Sequence, residues 1–128
     1  MSASLAMMLC AAHSAAFGAF HLLFWRLFDW KRELPKLRPA NRAIVQILNL
    51  RLTYVFFAVA ALCLLYPDEL VATPLGRAML AVMALFWLGR AIEQVVFLRR
   101  LRHPAVHALT ALFLLGAALF AWPLWRGA

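Results

Sequence analysis

Acidic residues are scarce in this chain. Against 13 Lys and Arg there are only 5 Asp and Glu, and charged residues make up 14% of the 128 positions. An average soluble domain is about a quarter charged. The two cysteines, Cys10 and Cys63, sit inside apolar runs with no CxxC or metal-spaced partner, which reads as packing and not as redox chemistry. GxSxG, HExxH, P-loop and glycine-rich phosphate motifs are all missing. Ser14 follows His13, but neighbours on a helix face different directions, so they form no nucleophile–base pair. These absences lean away from an enzyme, although lipid chemistry through Glu93 and the histidines stays open. Alternating short strands are also missing, which excludes a membrane barrel. Nor is there a defensible internal repeat or a low-complexity tail.

What the chain has is apolar length. Hydrophobic residues are 66% of it, more than a soluble domain this small can bury. Four apolar runs stand out, at roughly 5–28, 47–66, 76–98 and 105–125. Each approaches the ~20 residues that cross ~30 Å of hydrocarbon as a helix. Helices are required because lipid offers backbone groups no partner. The expected fold is an all-α integral membrane protein, four antiparallel transmembrane helices in one bundle spanning residues 1–128. The first run has no basic residue before it and continues past Phe20, so a retained helix is expected and not a cleaved signal.

Charge placement sets orientation. Basic residues cluster at Arg26, Lys31, Arg32, Lys36, Arg38 and Arg42, and again at Arg99, Arg100 and Arg102; the intervening YPDELVATP is acidic and short. The net charge of +8 therefore sits in loops between spans, which argues against nucleic acid as a partner and for lipid. The positive-inside bias puts these loops in the cytoplasm and both termini outside, in a bacterial-type inner (plasma) membrane. Trp25, Trp30, Tyr66, Trp122 and Trp125 serve as interfacial anchors. The segment DWKRELPKLRP should lie along the interface with Trp30, Leu34 and Leu37 turned inward. Thr73-Pro74 and His103-Pro104 read as helix starts. Small residues four apart on the first helix (Ala12/Ala16, Ser14/Gly18, Ala15/Ala19) offer a close-packing face, used within the chain or between copies of a homo-oligomer.

The third run carries WLGRAIEQVVF, where Arg90, Glu93 and Gln94 are spaced i, i+3 and i+4. A charge within a bilayer costs at least ~2.5–3.5 kcal/mol and needs a partner or a purpose. Glu93 lies ~10 Å from the cytoplasmic boundary at 1.5 Å per residue. Other runs offer polar stripes at a similar depth: Gln46, Asn49 and Thr53 on the second, with Arg51 pointing away to snorkel; His13 and His21 on the first; His103, His107 and Thr110 on the fourth. The expectation is an inner-half cluster of Arg90, Glu93, Gln94, Gln46, Asn49, His21 and His107, in which Arg90 and Glu93 can pair.

Three readings of that cluster compete. Proton-linked transport or small-solute binding comes first, because a carboxylate with histidines is the raw material of a proton relay. Haem or a transition metal is the runner-up, through His21, Glu93 and His107, although Arg90 beside the carboxylate disfavours a cation and no metal or cofactor is the preferred expectation. A structural or accessory subunit of a membrane complex is the third. Single cysteines placed at Lys36, Asp68 and Arg102 test the orientation. Positions 36 and 102 should label from the cytoplasmic side and position 68 from the outside only; labelling of position 68 from the cytoplasm would overturn the topology.

Overall fold

Apolar composition combined with the need to satisfy every backbone group leaves helix as the only economical conformation, and helix is what the chain adopts. The computed structural model describes residues 1–126, with no strand among them. The helices are α1 (Ala3–Leu22), α2 (Phe24–Leu27), α3 (Trp30–Glu33), α4 (Pro39–Leu65), α5 (Pro67–Ala72), α6 (Pro74–Leu98) and α7 (Pro104–Arg126), with a 3-10 turn at Leu34–Lys36. Four of them, α1, α4, α6 and α7, are long and apolar enough to cross a membrane.

Helix and apolar run differ in their bounds for physical reasons. The first apolar run continues to residue 28, but α1 stops at Leu22 and the chain turns through α2 to Asp29, whose φ of 50° is left-handed. Aspartate tolerates that conformation better than most residues. On the far side, α4 starts at Pro39, well before its apolar run, because proline suits a first helical position and hydropathy reports only the greasy portion of a helix. In DWKRELPKLRP, Leu34 is buried and Trp30 half-buried, while Leu37 is exposed. The acidic loop folds as the short helix α5, with Pro67 at its start and Asp68 and Glu69 in its first turn, where carboxylates favour the helix dipole.

The chain forms two compact units. One comprises residues 11–62 and the other residues 1–10 with 63–128. In the first, α1 packs on α4 through Gly18, where an added Cβ would meet the Phe57 ring at 2.8 Å. Their chain neighbours Phe17 and Phe56 also meet, with ring centroids 6.1 Å apart. In the second, α6 and α7 form an antiparallel hairpin. Arg77 near the start of α6 donates to Leu124 O near the end of α7 at 3.1 Å. Trp87 and Phe113 stack midway, at 5.8 Å and 18°. Gln94 donates to Val106 O at the closed end, at 3.3 Å.

Both sequence-read helix starts are capped. Thr73 Oγ1 accepts from Gly76 N at 3.0 Å, and His103 Nδ1 accepts from Ala105 N at 3.1 Å. Gly76 has a second role, because α5 crosses there: an added Cβ would lie 2.5 Å from Leu70 Cα and as close to neighbouring backbone. Backbone cannot swing aside as a side chain can. Gly76→Ala should therefore cost about 1–3 kcal/mol by overpacking. Gly89, with nothing within 4 Å of its added Cβ, is the control. Gly89→Ala should be neutral or stabilising by up to ~1 kcal/mol from helix propensity. Thermal unfolding of both variants in detergent micelles checks the contrast.

Candidate functional site

The buried face of α6 is drawn by its periodicity. Gly76, Leu80, Met83, Trp87, Ala91 and Gln94 are buried, following the three- and four-residue steps of one helical stripe. Gln94 belongs to that stripe and is 1% exposed. Glu93, its neighbour, points ~100° away and is exposed. Arg90 is at the edge of the stripe, half-buried. The i, i+3, i+4 spacing thus straddles a boundary, and the three residues occupy three environments.

Arg90 and Glu93 form no ion pair. Among the described residues the ion pairs are Arg32–Asp29 at 3.8 Å and Lys36–Glu33 at 3.2 Å, both near the α3 segment. The Arg90 guanidinium instead lies 4.5 Å from the Phe113 ring centroid. Phe113 in turn stacks on Trp87, which is 1% exposed. A cation on an aromatic face is worth ~2 kcal/mol or more where water is excluded. Gln94 spends its amide N–H on Val106 O, while its oxygen Oε1 is buried without a hydrogen-bond partner. Thr110 Oγ1 also donates to Val106 O, at 2.9 Å, so that carbonyl is doubly served and the Gln94 oxygen is the group in deficit. His107, on the exposed side of α7, lines an open groove at the α6–α7 turn.

The remaining residues of the expected cluster lie in the unit of residues 11–62. Asn49 reaches from α4 to α1, its Nδ2 donating to His21 O at 3.1 Å, and its Oδ1 is buried without a partner. His21 donates through Nδ1 to Phe17 O at 2.8 Å, the tautomer that this geometry requires. Its ring stacks on Phe24 at 4.4 Å and 25°, with Phe20 edge-on and Phe56 tilted against it. Gln46 turns back onto its own helix, donating to Arg42 O at 3.1 Å, and Thr53 likewise to Asn49 O at 2.8 Å. Ser14 Oγ is buried and without a partner. Arg51 is exposed with its guanidinium 5.5 Å from the Tyr54 ring centroid.

Two features escape a reading of motifs. Arg77 bridges three carbonyls, Val71 O at 3.3 Å, Pro123 O at 3.5 Å and Leu124 O at 3.1 Å, and so closes the hairpin. Its signal in the sequence is its isolation, since it is the one arginine at the α6 end remote from the basic loops. The Trp87–Phe113–Arg90 stack has no sequence signal, because it requires knowing which turns of α6 and α7 meet. Among the described residues no three of His, Cys, Asp and Glu gather as a metal-holding group. No family model, curated protein or solved structure matches the chain.

A double-mutant cycle measures what the ring does for the cation. Arg90→Met and Phe113→Leu should couple by about 1–2 kcal/mol in unfolding free energy. Additive effects would mean that the guanidinium draws nothing from Phe113.

Proposed function

We propose that the protein is an integral protein of a bacterial-type inner membrane that binds a small, hydrogen-bond-donating solute or passes protons at buried acceptor oxygens. In this reading the four long helices form one antiparallel bundle with both termini outside. The observation that supports it is the unmet Gln94 Oε1, with Asn49 Oδ1 as a second instance in the other unit. A buried acceptor left unpaired costs about 1–3 kcal/mol, and a water, a protonated group or a donor-bearing solute removes that cost. Arg90 disfavours a bare metal cation near Gln94 and suits a neutral or anionic solute. Glu93 and His107 supply titratable groups on the same hairpin. Passage across the full membrane would involve neighbouring copies, for which the exposed Ala12, Ala16 and Ala19 of α1 offer a small-residue seam.

One observation favours haem or a transition metal as the second reading. His21 has its Nδ1 fixed on a backbone carbonyl, the outer hydrogen bond that metal-ligating histidines usually make. A Soret band or stoichiometric metal in the purified protein would put that reading first.

Proteoliposomes with a trapped pH indicator test the primary reading. Flux or solute binding should depend on pH and fall about tenfold in Glu93→Gln and His107→Ala, the factor that ~1.4 kcal/mol of lost interaction represents. Gln94→Leu should fold at least nearly as well as the parent, since replacing an imperfectly paired amide by an apolar group of similar size is close to neutral, yet lose activity. Unchanged activity per folded molecule in all three variants would leave an accessory, structural role.

A further inference from the structure

The two basic segments of the chain differ in how their charge is answered. Around α3, Arg32 faces Asp29 and Lys36 faces Glu33, so the cationic cluster there is partly neutralised within the chain. At the α6–α7 turn no ion pair forms among the described residues. Arg99, Arg102, His103 and His107 instead converge on an open groove of about 650 Å³, with Leu101 and Pro104 as its apolar wall. That volume falls within the ~300–1,000 Å³ of small-ligand sites. No carboxylate lines it.

We propose that this groove binds a phosphate-bearing anion, the chemistry that a phospholipid headgroup and free phosphate share. Arginine carries planar forks of N–H donors that match phosphate oxygens two at a time. His103 accepts from Ala105 N through Nδ1, which leaves its proton on Nε2 as a further donor. His107 lies in the first turn of α7, four residues after the His103 that caps it, and both line the groove. The site does not rest on free amides at the start of α7. Pro104 has none, Ala105 N is taken by His103 Nδ1, and Val106 N bonds His103 O at 3.0 Å. Side chains carry the recognition.

Native mass spectrometry of the detergent-purified full chain, titrated with three probes, decides the matter. The probes are phosphatidylglycerol, inorganic phosphate, and diacylglycerol, which has the same tails without phosphate. Phosphatidylglycerol should bind, and the pair Arg99→Gln with Arg102→Gln should weaken it by roughly tenfold or more, since the charge-assisted hydrogen bonds of both guanidinium forks are lost. The control pair Lys31→Gln with Arg38→Gln removes the same charge from the other basic segment and should change affinity by less than about twofold, as bulk attraction is shared among all cations. Binding of inorganic phosphate with the same dependence on Arg99 and Arg102 supports the site with soluble phosphate as its source. The proposal is overturned if diacylglycerol binds as well as phosphatidylglycerol. It is equally overturned if both variant pairs weaken binding alike, or if neither phosphate probe binds. Melting temperatures of the two pairs, expected to match the parent because all four residues are exposed, separate lost binding from lost fold.

Discussion

Hydrogen-bond donors inside apolar helices have nowhere to go but backbone carbonyls, and this shortage organises the molecule. Thr53, Gln46 and His21 turn back one helical turn on their own helix. Asn49, Gln94 and Arg77 instead cross to a neighbouring helix, and each crossing fixes a register. A carbonyl already engaged in its helix retains a second lone pair, so it can take such a donor at no loss. The arrangement has an asymmetry. Amide side chains bring a donor and an acceptor, and backbone carbonyls answer only the donor. Gln94 and Asn49 therefore keep buried oxygens in deficit, whereas threonine, by donating its hydroxyl, leaves no such debt.

Aromatic faces answer what carbonyls do not. Arg90, whose charge would be costly alone in a span, lies on Phe113, and Trp87 stacks on that same ring. His21 is held by rings in the same manner. Arg90 and His21 are thus each served by nearby rings, one in each compact unit.

The sequence made the long helices legible because their apolar runs are bounded by proline, threonine and charge, as at Thr73-Pro74 and His103-Pro104. It made the burial of Gln94 legible only in part. Spacing showed that Arg90, Glu93 and Gln94 occupy neighbouring angles, but the centre of the buried stripe is set by Trp87, Ala91 and Met83, and it passes through Gln94 and leaves Glu93 outside. Hydropathy could not reveal that α4 begins at Pro39 or that α5 is helical, because polar helix and polar loop look alike on that scale. Contacts such as Arg77 with Leu124 were out of reach because a side chain on one helix and a carbonyl on another leave no pattern along the chain.

The clasp formed by Arg77 has a consequence for the order of events during synthesis. Its acceptors at Pro123 and Leu124, near the end of α7, follow it by 46 and 47 residues. A ribosome delivers them after all of α6 and most of α7. Until then the arginine can hold only Val71 O nearby, although Val106 and Phe113, the partners of Gln94 and Trp87, have already been added. Of these cross-helix contacts the arginine clasp is therefore the last to become available, and a chain cut before Pro123 leaves Arg77 without its two α7 acceptors while Val106 and Phe113 can still meet Gln94 and Trp87.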